Sequence, residues 1–327
     1  MVPAHRRHDE SIENRNLQKR SFKPVIMTKP SLVIGIGDLH GHLPALEQLV
    51  DALQEEYGIF SDGERLHDEV EIVFTGDYID RGAYSRETID RVMRLQAKNP
   101  DRVRTLFGNH ELLALAGRTS ATEAAGHPTP EHAYRILTMH GQNGGWTFVQ
   151  QYGLTPQEAC LHYAAAIAPD APVGAWLRRL LPFHRTRIGE REILFAHGGI
   201  PASLEQPTGW EDYARAFQEH LHTITTATST EKYLRHPLVN NHSIFWDRRI
   251  PNGEVNPDTL ARNLGVDAIV IGHTPQEHIT RYGSFVYNID VGMCPRYGAH
   301  GPAAIIFTLE ETIQFDLQLG TTTTYDS

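Results

Sequence analysis

Gly37-Asp38-Leu39-His40-Gly41, directly after the apolar run at residues 31–36 (SLVIGI), is the stretch whose reading decides the fold. A short β-branched run that ends at glycine reads as a buried strand feeding a loop. Asp38 and His40 are two apart on extended backbone, so both side chains point to one side of the strand end. The same arrangement recurs along the chain. Gly76-Asp77-Tyr78-Ile79-Asp80-Arg81-Gly82 follows VEIVF (70–74), and Gly108-Asn109-His110-Glu111 follows VRTLF (103–107). His197-Gly198-Gly199 follows EILFA (192–196), and Gly272-His273-Thr274-Pro275 follows the apolar run 268–271. Residues 44–57 and 85–97, lying between these strands, carry apolar residues at helical spacing. The alternation predicts an α/β (α+β) fold with its polar chemistry at strand ends.

Asp38 and His40 can offer one carboxylate oxygen and one imidazole nitrogen to a single ion. Asp77 is the natural bridge, because a carboxylate has an oxygen for each of two ions. Asn109, His197 and His273 then complete the second ion with an amide oxygen and two imidazoles. That is the ligand inventory of two hydrolytic divalent metals, with Mn²⁺ the favoured choice and Fe²⁺ or Zn²⁺ as alternatives. Such a pair lowers the pKa of a bridging water and makes a nucleophile without a covalent intermediate. Cys294 as a nucleophile is the rival, but no phosphate-cradling loop surrounds it.

The bulk composition fits this reading. Of 327 residues 40% are hydrophobic and 21% charged, an ordinary globular balance. A net charge of −10 argues against broad nucleic-acid binding, which needs a basic footprint. Two cysteines are too few for a disulfide framework, and no apolar run approaches membrane-spanning length, so no membrane partner is expected. The polar N-terminus lacks a signal-peptide core, and a soluble cytoplasmic protein is the default.

Residues 1–30, with seven Lys/Arg and three Asp/Glu, read as a basic, flexible extension. Residues 31–319 read as one catalytic domain and 320–327 as a frayed polar tail. Between 112 and 190 no strand-like alternation is evident, and helical segments are expected at 112–116, 132–140, 146–151, 156–166 and 176–181. This helical insertion is expected to lie over the site and shape access. Its histidines, His132, His140, His162 and His184, have no carboxylate at ligand spacing and read as surface or capping residues. Trp146 and Trp176 read as packing residues of the insertion. A further helix is expected at 210–222 and strands at 285–289, 304–309 and 312–317.

Taken in order, GDLHG, GDYIDRG, GNHE and HGG resemble the metallophosphoesterases, and closely the calcineurin-like phosphoprotein phosphatase family. Ile271-Gly272-His273-Thr274-Pro275 with Asn288-Ile289-Asp290, and Trp246-Asp247-Arg248 upstream, are similar to the bacterial and phage branch. Phe107 stands where eukaryotic members carry an arginine, and their regulatory tail motif is absent. The resemblance implies a β-sandwich flanked by helices with a dinuclear site at its edge. It assigns Asp38, His40 and Asp77 to one ion, and Asp77, Asn109, His197 and His273 to the other. It makes His110, paired with Asp80, the general acid, and Arg81 and Arg248 the phosphate ligands, with Arg249 the alternative to Arg248. The implied substrate is a phosphorylated protein side chain or a small phosphoester, and the alternative is a dinucleoside polyphosphate or other nucleotide.

Overall fold

The structure, a computed structural model, describes residues 29–126, 139–225, 233–298 and 300–326. The basic extension at 1–28 and most of the helix expected at 132–140 lie outside the described residues.

Leu32–Ile36 (β1) is apolar on both faces and sits inside a six-stranded sheet, with every residue after Leu32 buried. It runs parallel to Val70–Phe74 (β4), which runs parallel to Val103–Thr105 (β5). On its other side it pairs antiparallel with Ala303–Thr308 (β11), followed by Glu311–Asp316 (β12) and Thr321–Asp326 (β13). The second sheet has five strands. Its order is Phe183–Ile188 (β6), Arg191–Ala196 (β7), Ala268–Ile271 (β8), Val286–Asn288 (β10) and Thr280–Tyr282 (β9). Here β7, β8 and β10 run parallel. Phe60–Asp62 (β2) and Arg65–Leu66 (β3) form a small separate hairpin.

Aromatic rings join the two sheets. Phe195 of β7 and Tyr287 of β10 meet Phe307 of β11 at centroid distances of 6.4 and 6.0 Å. Helices Leu43–Tyr57 (α1) and Ser85–Lys98 (α2) connect the parallel strands of the first sheet. α1 buries Ala45, Leu46, Leu49, Val50 and Leu53, the spacing of one helical face. Among the described residues, the α-helices of the long segment before β6 are Asn109–Gly126 (α3), Trp146–Val149 (α4), Pro156–Ala166 (α5) and Pro172–Leu177 (α6). Trp210–Thr225 (α7) and Pro257–Leu264 (α8) follow β7. Among the described residues no helix is long and apolar enough to cross a membrane.

Three expectations need correction. The segment 112–190 is not wholly helical, because β6 closes it and pairs antiparallel with β7. Its sequence, FHRTRI, lacks apolar alternation because its polar side chains are used across the sheets: His184 Nε2 lies 2.9 Å from Glu71 of β4, and Thr186 donates to the same carboxylate. The helix expected at 176–181 is instead α6, which ends at Leu177, and Leu181 bonds back to Thr105 and Phe107 beside β5. Residues 321–326, expected as part of a frayed tail, are instead β13, which pairs along the full length of β12. Its run of four threonines carried the β-branched signal for a strand.

The chain segments following β1 and β10 approach closely beside the site. A Cβ at Gly37 would stand 2.1 Å from the carbonyl oxygen of Ile289, just past β10. Gly37→Ala is therefore expected to pry the two sheets apart and cost more than about 2 kcal/mol of stability. Urea unfolding of the variant beside the parent measures that cost.

Candidate functional site

The three parallel strands of each sheet, β1, β4 and β5 with β7, β8 and β10, release their loops toward one edge, and the polar fragments meet there. Asp38, His40, Asp77, Asp80, Asn109, His110, His197 and His273 are all buried. Among the described residues the only non-glycine positions with positive φ are His40, Asp77, Asp80, Arg81 and His273. Each such conformation costs on the order of 1–3 kcal/mol and persists only where the surroundings over-determine it. Backbone bonds from Leu39 and His40 to Asp77 O, at 3.1 and 2.8 Å, tie the first two loops together. Glu111, at the start of α3, accepts from the N–H groups of Asp77, Tyr78 and Gly108 at 2.9, 2.9 and 3.0 Å. Asp38 accepts from the N–H of His273, so the first loop of one sheet holds the second loop of the other.

Asp77 is central. Its Oδ2 lies 3.6 Å from His40 Nε2 and its Oδ1 lies 3.5 Å from His197 Nε2. Two groups have ligand atoms close enough to share an ion: His40, Asp77 and His110, and Asp77, His197 and His273. Asp38 Oδ2 is 4.0 Å from His40 Nε2, and Asn109 Oδ1 is 3.0 Å from His197 Nε2.

The donor chemistry fits cations. His40 Nδ1 lies 3.0 Å from Ile79 O and His197 Nδ1 lies 2.9 Å from Thr75 O, contacts that place the ring proton on Nδ1 and leave each Nε2 as a lone pair. The Nε2 of His197 then faces the amide oxygen of Asn109, acceptor against acceptor, which a positive ion between them would relieve. His273 Nε2 is buried with no hydrogen-bond partner. Burial, with Arg81 beside His40 and His197 beside His273, holds both imidazoles well below their ordinary pKa, in the neutral form that ligates. Burial and the charges of Asp290 and Asp77 raise Asp38 well above the carboxylate range. Burial opposes ionisation of Asp77, yet His197, His110 and His40 pull it well below its usual value.

His110 Nδ1 lies 2.7 Å from Asp80 Oδ2, while its Nε2 faces Asp77 at 4.0 Å with no partner. Asp80 has a second imidazole on it: His140 Nε2 lies 3.0 Å from Oδ1 and 2.8 Å from Oδ2. The surface reading of His140 is overturned, because the residue is fully buried. Sixty residues separate it from Asp80, and no sequence spacing links them. His184, read the same way, is instead the ion-pair partner of Glu71, whereas His162 is exposed and bonds Tyr152 O. His132 lies outside the described residues.

The two candidate phosphate ligands sit on either side of the cluster. The Arg81 guanidinium contacts His40 Nε2 and lies 5.0 Å over the Tyr297 ring. Arg248 is exposed and reaches His273 O at 3.3 Å. Arg249 instead contacts Asp247, Glu205 and Ile200 O. A cavity of about 420 Å³ opens beside Arg81, between Trp146 of the inserted segment and Arg296 and Tyr297 after β10. Trp146 therefore walls a cavity next to the site, while Trp176 packs against Tyr78 at 5.2 Å. Tyr297 carried no motif in the sequence and enters only through the fold. Phe107, at the position where eukaryotic members carry an arginine, packs against Phe217 and Phe245 at 5.5 and 5.4 Å.

A family model described as calcineurin-like phosphoesterase matches residues 32–277. The chain is 40% identical over 75 residues to the serine/threonine-protein phosphatase 6 catalytic subunit of Drosophila melanogaster, a stretch covering 23% of this chain and 21% of the fly protein. It is 23% identical over 280 residues to an uncharacterized protein of Schizosaccharomyces pombe, covering 82% of this chain and 75% of that one. The chain thus spans about a fifth of the fly relative's length and three quarters of the yeast relative's. Among solved structures, the cold-active protein-tyrosine phosphatase of a Shewanella species superposes with a TM-score of 0.63 at 20% identity, over 90% of this chain and 80% of that one. A Saccharomyces cerevisiae protein serine/threonine phosphatase superposes with a TM-score of 0.50 at 15% identity, over 92% and 81% of the two chains. Both share the fold.

Glu111→Gln replaces one carboxylate oxygen with an amide NH₂ that opposes a buried backbone N–H. The variant is expected to lose about 1–3 kcal/mol of stability. Because Asp77 moves with its backbone, divalent-metal affinity should fall as well. Thermal unfolding and metal titration by calorimetry read the two effects.

Proposed function

Because this chain belongs to the calcineurin-like phosphoesterases, we propose that it is a metal-dependent phosphoester hydrolase whose substrates are phosphorylated protein side chains. The observation that carries this reading is the convergence of five further potential ligands, Asp38, His40, Asn109, His197 and His273, around Asp77, next to the His110–Asp80 pair. Asp38, His40 and Asp77 would hold one divalent cation, and Asp77, Asn109, His197 and His273 a second. Bound there, the cations supply an acidified water as nucleophile and neutralise phosphoryl oxygens. Mn²⁺ is our choice of metal, and Fe²⁺ and Zn²⁺ also suit this oxygen-and-nitrogen set.

The chain's own groups do the rest. Arg81 and Arg248 engage the phosphoryl group, for which a guanidinium is suited by its two parallel donors. His110, held by Asp80 through Nδ1, aims Nε2 into the site and gives its proton to the departing oxygen as the ester P–O bond breaks. The water oxygen forms the new P–O bond in line with that departure. Asp80 remains the anion that orients the imidazole: burial opposes its ionisation, but His140 and His110 lower its pKa to about 2.

The names of the fly, yeast and Shewanella phosphatases favour a phosphoprotein as substrate. The rim residues Gln142 and Arg296 are exposed, so a side chain presented from a larger body has an approach to the buried cluster. One observation favours a second reading. The cavity beside Arg81 has aromatic walls, Trp146 and Tyr297, and basic ones, Arg81 and Arg296, which would suit the base and phosphate chain of a dinucleoside polyphosphate.

Turnover of a phosphopeptide panel beside a diadenosine polyphosphate separates the two. Cleavage of the peptides is expected; vigorous anhydride cleavage with none of the peptides touched would transfer the assignment to the nucleotide. Treatment with a chelator should abolish turnover, and manganese should restore it. Asp77→Asn should deplete metal from both positions, measured by elemental analysis. His110→Asn should cut turnover by roughly 10²–10⁴-fold while metal content persists.

A further inference from the structure

We propose that His140 is a positioning residue for proton transfer: with His110 it clamps the Asp80 carboxylate from both sides and keeps it aimed at the imidazole that donates the proton. The inference rests on the hydrolase reading above and extends it into the inserted segment.

Its seat is built for the ring. His140 is fully buried, and a Cβ at Gly145 would stand 2.2 Å from its Cδ2, so only glycine there leaves room. Gly117 of α3 faces the imidazole from another direction, with a Cβ there falling 3.6 Å from Nδ1. Tyr163 of α5 stacks on it at 6.1 Å with planes 29° apart. Four segments thus converge on one imidazole. An ionised Asp80 only accepts, so the His140 proton facing it sits on Nε2. Nδ1 is buried and without a hydrogen-bond partner.

Asp80 needs the second donor. It sits at φ 72°, followed by Arg81 at φ 67°, two consecutive left-handed non-glycine residues. Its backbone is held by Ser85 Oγ at 3.0 Å, but among the described residues its carboxylate has only His110 and His140 as partners. Without His140, Oδ1 would be a buried unsatisfied oxygen, and the carboxylate would turn to share its one remaining donor. The same inserted turn also holds the neighbouring residue, since Arg81 N–H donates to Gly144 O at 3.0 Å. Residues 140–144 therefore brace both Asp80 and Arg81.

A group that positions the acid matters only when the leaving oxygen needs a proton. Phenyl phosphate releases a basic phenolate, whereas 2,4-dinitrophenyl phosphate releases an anion that departs unprotonated. His140→Ala is expected to slow kcat for phenyl phosphate by about 10- to 100-fold, the range seen when an outer hydrogen-bond partner is lost. The dinitrophenyl ester should change less than about twofold, with metal content unaltered. His140→Gln, whose amide N–H can still reach Asp80, should recover part of the loss. If His140→Ala does not fold, His140→Leu fills the seat without a donor and takes its place. Equal losses on both esters, or no loss on either, would overturn the proposal. Histidine ¹⁵N spectra of the unmodified protein give an activity-independent check: His140 should carry its proton on Nε2, and a bare Nε2 facing Asp80 would also overturn it. Failure of the unmodified protein to cleave either ester would instead count against the hydrolase reading, leaving the spectra to judge the clamp.

Discussion

Three buried carboxylates, Asp38, Asp77 and Asp290, share one pocket at the edge where the two sheets meet. Burial and mutual repulsion raise Asp38, and Asp290 is lifted to about 6. Buried like charges are among the most costly arrangements a protein can hold, and they persist only with compensation. Part of it is visible in the chain: imidazoles around Asp77, the Arg81 guanidinium at His40, and the His273 backbone N–H on Asp38. The rest is what a divalent cation supplies. The strained backbone is concentrated at the same place, at His40, Asp77, Asp80, Arg81 and His273. Glu111 and the close glycine contacts hold that backbone in place.

The sandwich makes this pocket possible. Parallel strands in both sheets end on the same side, so loops from Asp38 to His273 reach one point although 235 positions separate the ends. Aromatic contacts between the sheets fix their spacing, and Gly37 permits the close approach at the site itself. The pocket's stability is thus borrowed from a core remote from it.

The inserted segment is more than a cover. It places Trp146 along the cavity, returns through Leu181 to the edge of the first sheet, and supplies β6 to the second. Through His140 and Gly144 it touches Asp80 and Arg81 directly. Substrate access and the orientation of the acid pair therefore belong to one element, so changes in this segment can affect both.

Much of this was legible in the residues. Each ligand fragment comes directly after an apolar β-branched run, and burial of such runs as parallel strands puts the next few residues at a strand end. The α/β class and the strand-end placement of Asp38, His40, Asp77, Asn109, His197 and His273 rest on that local periodicity, whereas the pairing of His110 with Asp80 was implied only by the family resemblance. Other features had no local signal. β6 was hidden because its polar side chains pair across the sheets, and β13 because its threonines looked like a polar terminus. His140 was hidden because its partner carboxylate is sixty positions away. Nor did sequence spacing show that Asp247 and Glu205 take up the Arg249 guanidinium. The chain determined its own strands and the chemical groups at their ends, since periodicity and ligand type are local properties. Only the tertiary structure decided which distant side chains share a carboxylate, because burial and orientation are set by the packing of elements far apart in sequence.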